Sequence, residues 1–395
     1  MLETIFWILF IIVLYTFAGY AVLIWVLVLI KRLFTGKPIR FEIDKKNLPN
    51  ICLFVTAYNE ADFVALKVKN SFKINYPKEK IQYLWMTDGS TDGTPELLKQ
   101  FPELQVEYQA ERRGKIHAMN RGMQFVKAPI VIFSDSNTML GEDAAMEIVR
   151  QFINPTVGCV AGEKRIMEQP QDSAAASGEG LYWKLESFIK TMDSELNSAV
   201  GAVGELFAIR TDLYEEVEKN TLLDDFIISL RIAEKGYRIA YTPDAFATET
   251  ASISVKEELK RKTRIAAGGM QTIFRLPELV NPFRYGWLSF QYFSHKVLRW
   301  TIAPFSLFLI FFINFLILLN HQSWTVFNFY PLFFYFQLFL YLTALIGWLF
   351  ENRHVRLKLV FIPYYFAAMN YASIKGIIRY FRGQQSVVWE KSKRA

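Results

Sequence analysis

The chain has 395 residues, of which 52% are hydrophobic and 16% aromatic, with a formal net charge of +7. That length and apolar content exclude a disordered tail and a collagenous rod. Mean hydropathy is mildly positive although 21% of the residues are charged. The apolar residues must therefore be gathered into blocks, as in a membrane protein.

From Ile5 to Ile30 no residue is charged, which is enough helix to cross about 30 Å of hydrocarbon. The opening Met-Leu-Glu-Thr lacks a basic segment and no Ala-x-Ala site closes the run, so a retained span over 1–34 is expected rather than a cleaved leader. Lys31, Arg32, Lys37 and Arg40 follow at once, and the positive-inside bias places the downstream domain, 35–275, in the cytoplasm.

Within that block short apolar runs alternate with amphipathic stretches. Strands are predicted at Ile51 to Thr56, Ile81 to Thr87, Pro129 to Ser134 and Val157 to Glu163, and helices at Ala61 to Phe72 and Lys115 to Val126. This is the pattern of an α/β domain with a mostly parallel sheet. Ligands of such sheets bind beyond the carboxyl ends of the strands. Those positions hold Ala57-Tyr58-Asn59-Glu60, then Asp88-Gly89-Ser90-Thr91-Asp92-Gly93-Thr94, then Asp135-Ser136-Asn137. Acidic and polar groups thus converge on one rim.

Past the α/β block, 276–300 mixes Phe, Tyr and Trp with Arg284, His295, Lys296 and Arg299, the composition of a helix in the headgroup layer or of an aromatic belt. The uncharged runs Thr301 to Asn320 and Phe327 to Phe350 read as two spans, 301–350, joined by an outward loop. The remainder, 351–395, reads as an interfacial or re-entrant helix with a basic cytoplasmic tail, since a fourth span would export Arg379, Arg382, Lys391, Lys393 and Arg394. The whole is expected to be a multi-pass protein of the cell's inner (plasma) membrane.

Cys52 and Cys159 lie in strand-like runs and read as reduced core thiols. The basic residues gather beside the apolar blocks, which fits membrane lipids with anionic headgroups as partners and no nucleic acid. No Walker loop and no Gly-x-Gly-x-x-Gly follows the first strand. The four histidines, His117, His295, His321 and His354, show no zinc spacing and read as surface or interface residues.

Each rim motif has two readings. Asp135 with Asn137 suits a hard divalent cation, or simply a strand-end turn. Ser90, Thr91 or Asp92 suits a ligand, or the cap of a helix starting near Pro95. Asp224-Asp225 opens another helix, where the macrodipole favours a carboxylate whatever its role.

The order of these motifs resembles glycosyltransferase family 2, GT-A fold enzymes that include membrane synthases of poly-N-acetylglucosamine, cellulose and hyaluronan. The resemblance covers about Ile51 through Gln271 and the flanking membrane helices. It implies an α/β GT-A nucleotide-diphospho-sugar transferase domain with transmembrane and interfacial helices. It also implies an inverting transfer from a UDP-sugar to a glycan or lipid acceptor, forming a β-glycosidic bond, with exopolysaccharide synthesis as the implied setting.

Carried over position by position, the resemblance gives donor contacts to Thr56, Ala57, Tyr58, Glu60, Asp88, Lys115, Asp135 and Arg264, with Asn120 beside the Arg113-Gly114-Lys115 segment. It assigns acceptor contacts to Gly204 and Glu205, the general base to Asp225, and a divalent metal (Mg²⁺ or Mn²⁺) to Asp135 and Asn137. Two departures stand out. Asn137 replaces the second carboxylate of the metal motif, and Arg261-Lys262-Thr263-Arg264-Ile265 lacks the tryptophan that processive members place after the arginine. Trp389, with Gln384 and Gln385, is a substitute acceptor platform on this reading. A non-processive lipid glycosyltransferase and a noncatalytic glycan-binding subunit of an export complex are the competing readings.

Overall fold

The computed structural model describes residues 1–167, 174–250, 254–321, 324–350 and 358–384. Trp389, Gln385, Arg353, Arg356 and the basic residues of the tail beyond 384 lie outside the described residues.

An eight-stranded sheet forms the centre, in the order β3-β2-β1-β4-β7-β6-β8-β5. Its strands are β1 (Ile51–Ala57), β2 (Ile81–Asp88), β3 (Leu104–Gln109), β4 (Ile130–Asp135), β5 (Met139–Leu140), β6 (Val157–Met167), β7 (Leu206–Arg210) and β8 (Arg238–Thr250). The four strands β3, β2, β1 and β4 run parallel. Next to them β7 is antiparallel to both β4 and β6, so the expectation of a mostly parallel sheet holds for one half and is corrected to a mixed sheet for the other. The two-faced burial of β1 explains its unbroken apolar sequence. Cys52 and Phe54 enter one core, while Ile51, Leu53 and Val55 enter the core on the opposite face.

Register decides what meets at the rim. Thr56 pairs with Asp135 and Ala57 with Thr87, so the carboxyl ends of β1, β2 and β4 finish side by side. Because β7 is antiparallel and Leu206 pairs with Ser134, the residues just before β7, Gly204 and Glu205, arrive at that same rim.

Three helices are long and apolar enough to cross a membrane: Leu2–Thr35, Ile302–His321 and Phe329–Phe350. The helix Lys358–Phe381, with Pro363 inside it, is not among them. It packs on Val255–Arg275 and on Phe329–Phe350. The segment 287–300 is helical, and Leu288, Gln291, Tyr292, His295 and Val297 are buried in it. It therefore packs against the α/β domain on one side, with Phe293 and Trp287 exposed on the other. His295 corrects the reading of surface or interface histidines, since it is fully buried. Its Nδ1 lies 2.7 Å from Asp193 and its Nε2 3.3 Å from Glu186.

Candidate active site

The loops after β1 and β2 are stitched together by their own side chains. Asn59, at φ +51°, accepts a hydrogen bond on Oδ1 from the Thr91 amide (2.8 Å), and its own amide donates to Ser90 Oγ. Asn tolerates that left-handed backbone better than most residues. Asp92 accepts from the amides of Ala61 and Thr94, so it holds the starts of two helices at once. Asp88 accepts from the amides of Arg113 and Gly114 (3.0 and 2.6 Å), which fixes the turn that presents Lys115.

These turns enclose a cleft lined by Thr56, Ala57, Tyr58, Glu60, Asp88 and Lys115, with Asp135 and Asn137 opposite. Arg112 lays its guanidinium over the Tyr58 ring at 3.8 Å. The Arg113 side chain turns outward to Glu111. Asn120 is committed elsewhere, since its amide group bonds Tyr214 and both backbone polar groups of Val217.

Lys115 is the centre of charge. Its Nζ lies 2.8 Å from Asp135 and 3.0 Å from Asp224, the second contact being an ion pair without hydrogen-bond alignment. Burial pulls the ammonium's pKa down, but Asp135 and Asp224 outweigh it and raise it. Asp225 lines the adjacent cavity. Burial, then the charge of Asp224, push its carboxyl up to about 7, against the pull of Lys115. A Cβ added to Gly204 would stand 3.6 Å from Lys115 Nζ and 3.7 Å from Asp225 Oδ2, so the missing side chain leaves room beside both groups. Arg264 reaches the Leu222 carbonyl and is charge-coupled to Asp224, Asp225 and Asp135.

Whether a divalent metal fits can be read from the donors. Among the described residues no group of three or more His, Cys, Asp or Glu side chains could hold an ion alone. Mg²⁺ and its relatives commonly take one or two protein oxygens and complete their shell with phosphate and water. Asp135 and Asn137 supply hard oxygens of that kind. The Asn137 Nδ2 donates to Glu249 Oε1 at 3.3 Å, which fixes the amide orientation and leaves Oδ1 for another partner. The donor set fits a metal shared with a diphosphate.

Beyond Asp225 the site opens into a cavity of about 520 Å³ that runs to the membrane helices. Glu205, Ile265, Trp183 and Trp300 line it, together with Phe17 and Phe366. Glu205 bonds Lys164 (2.5 Å), which also holds Glu249 (2.5 Å), and this buried ammonium keeps Glu205 ionised well below the usual carboxylate range. Sequence reasoning missed Lys67, Lys164 and the two tryptophans. Lys67 was findable: Val64, Lys67, Val68 and Ser71 are the buried positions of Ala61–Phe72, helical spacing that puts a lysine on the core face. It donates to Ser134 Oγ and the Thr138 carbonyl from beneath Asp135, and burial lowers its pKa to about 7.

A half-parallel sheet with an acidic rim, switching direction at the strand that delivers Gly204, defines a GT-A glycosyltransferase domain. The family model described as "Glycosyltransferase like family 2" matches residues 49–268, more than half of the chain, and the chain belongs to that family. It is 27% identical over 255 residues to the poly-beta-1,6-N-acetyl-D-glucosamine synthase of Staphylococcus aureus (strain MSSA476). The Staphylococcus epidermidis synthase is 24% identical over 246 residues. The first match spans 60% of this chain and 60% of that relative's length. The solved structure of the mannosyltransferase PcManGT from Pyrobaculum calidifontis, in complex with GDP-Man and Mn2+, is similar with a TM-score of 0.69. It is 20% identical and covers 98% of this chain and 100% of that one, a likeness of fold.

Proposed function

We propose that the chain is an inverting, multi-pass membrane glycosyltransferase that moves a sugar from a UDP-sugar to a glycan or lipid acceptor on the cytoplasmic face. The observation that carries this reading is the gathering of Asp135 and Asp224 around the half-buried Lys115 ammonium, with Asp225 beside it between a polar cleft and a large cavity. Thr56, Tyr58, Glu60 and Asp88 line the nucleotide side, and Lys115 and Arg264 face the diphosphate. Asp135 and Asn137 would hold a divalent metal, which supplies charge neutralisation for the leaving diphosphate.

Asp225 takes the proton of the acceptor hydroxyl as that oxygen bonds to the anomeric carbon and the bond to the diphosphate oxygen breaks. One displacement converts an α donor into a β product. The curated relatives are poly-beta-1,6-N-acetyl-D-glucosamine synthases by name, which supports a polysaccharide pathway. Ile265 in place of an aromatic residue supports short or single transfer.

Reconstituted in liposomes, the chain should release UDP from one member of a UDP-sugar panel. Chelation should stop release, and Mg²⁺ or Mn²⁺ should restore it. Asp225→Asn should abolish transfer while nucleotide binding persists. Preference for a GDP-sugar would overturn the donor assignment, and unchanged turnover in Asp225→Asn would overturn the base.

A further inference from the structure

The cavity beyond Asp225 is walled by two kinds of surface. Phe17 of the spanning helix and Ile362, Phe366 and Met369 of Lys358–Phe381 make one wall apolar. The rings of Phe17 and Phe366 meet at 4.9 Å, and Phe366 and Ile362 are also exposed on the outside of the molecule, so the apolar wall is continuous with the surface that faces hydrocarbon. The other wall, made by Ala174–Leu196, Val255–Arg275 and the 287–300 segment, is basic. Five basic side chains line the cavity against three carboxylates, Glu186, Glu205 and Asp225.

Most of that positive charge is spoken for. Glu186 takes Lys296, His295 and Arg299, and Arg261 and Lys262 lean on Glu258. Lys190 differs. It is 3% exposed and lines the cavity, yet among the described residues its Nζ makes no direct hydrogen bond or ion pair: it faces the Tyr241 ring at 5.8 Å and acts on the Glu163 carboxylate only through space, pulling its pKa down. The indole N–H of Trp183 and the Nε–H of Arg299, on residues of the same cavity, also lack acceptors among the described residues. A buried ammonium and two unmatched donors are costly unless an anion completes them.

We propose that this cavity seats the acceptor, and that the acceptor is an amphiphile whose phosphate-type anion binds at Lys190 and whose hydrocarbon chain leaves past Phe366 and Ile362 into the bilayer. The proposal rests on the glycosyltransferase reading and names the acceptor class within it, a lipid-linked phosphate rather than a free polysaccharide end. The attacking hydroxyl carried by the same molecule faces Asp225, and the transfer step is unchanged.

The test uses the full chain in uncharged detergent micelles, with binding followed by tryptophan fluorescence. Four probes are compared: dodecyl phosphate, dodecanol, inorganic phosphate and a water-soluble β-linked oligosaccharide. Dodecyl phosphate should bind at least about tenfold more tightly than dodecanol, the size of one charge-assisted contact, and inorganic phosphate alone should not displace it. Lys190→Gln should erase the preference for phosphate over alcohol, and Lys190→Arg should restore it. Equal binding of alcohol and phosphate, preference for the oligosaccharide, or an undiminished preference in Lys190→Gln would overturn the proposal. UDP binding, measured in parallel, separates the two levels. UDP bound without any lipid-phosphate preference sinks only the acceptor class, whereas loss of UDP binding in the wild-type chain sinks the glycosyltransferase reading itself.

Discussion

Asp225 lies where burial and a neighbouring carboxylate both oppose ionisation, and its pKa near 7 has a direct kinetic consequence. A general base works only as the carboxylate, so kcat/KM for transfer should fall about tenfold per pH unit below 7 and level off above it. Lys115 is the nearby charge that holds this pKa down. Lys115→Met should therefore move the midpoint to more alkaline pH, in addition to weakening donor binding. A pH profile in which the variant's midpoint moves the other way would show that Lys115 does not stabilise the ionised base. Asn137 can be argued from its partner in the same manner. Its amide donates to Glu249, so Asn137→Asp would set two carboxylates against each other and should cost about 1–3 kcal/mol of stability in thermal unfolding. The departure from a two-carboxylate motif thus matches the neighbourhood, where Glu249, already paired with Lys164, accepts from the Asn137 amide.

At the scale of elements, the turn before β7 separates two jobs that small residues do. Gly201 has φ +80°, and a Cβ there would fall 2.1 Å from the Phe226 ring. Gly201→Ala should destabilise the fold by roughly 1–3 kcal/mol. Gly204 has no such restriction, and a methyl group there meets Lys115 and Asp225 at ordinary contact distance. Gly204→Ala should leave the melting temperature nearly unchanged while lowering transfer by about tenfold or more, because it fills the space beside the base. If both variants lose stability equally, the room at Gly204 serves packing.

The same element shows why the sequence was only partly readable. The strands with both faces buried, β1 and β4, announce themselves as unbroken apolar runs and β2 as a run broken only by Gln82, and the three rim motifs follow them directly. By contrast β8 carries Pro243 and Asp244 within it. Thr242 pairs with Gly162 and Phe246 with Glu163, so three residues bulge out of the ladder, and no strand-like periodicity survives. The large cavity beyond Asp225 is hidden for another reason. Trp183 and Trp300 reach it from helices distant in sequence, and Trp300 packs against the bare backbone of Gly269, one helical turn beyond Ile265. No local pattern records that rings from helices far apart in the chain line one cavity.

Across the whole molecule, the membrane part and the catalytic part are joined by charge as well as by apolar packing. Tyr20, in the first spanning helix, donates to Asp193 Oδ1 (2.5 Å), while Gln291 and His295 meet the same buried carboxylate. Farther along that helix Arg32 makes a two-pronged contact with Glu195. The Lys31 Nζ bonds the carbonyls of Glu195 and Leu196, at the end of Ala174–Leu196 where carbonyls lack helical partners. A carboxylate held this deeply tolerates the loss of one donor poorly, because the remaining groups cannot hydrate it. Tyr20→Phe should therefore lower stability by about 1–3 kcal/mol, and the added proteolytic sensitivity should appear in Ala174–Leu196 rather than in the β1–β4 half of the sheet. Arg32→Lys, which keeps the charge but loses the planar fork, should have a smaller effect in the same place. Increased cleavage throughout the domain would instead mean that the spanning helix supports the sheet as a whole. Because Ala174–Leu196 also carries Trp183, Glu186 and Lys190 into the cavity, local loosening from Tyr20→Phe should weaken acceptor use before it affects nucleotide binding.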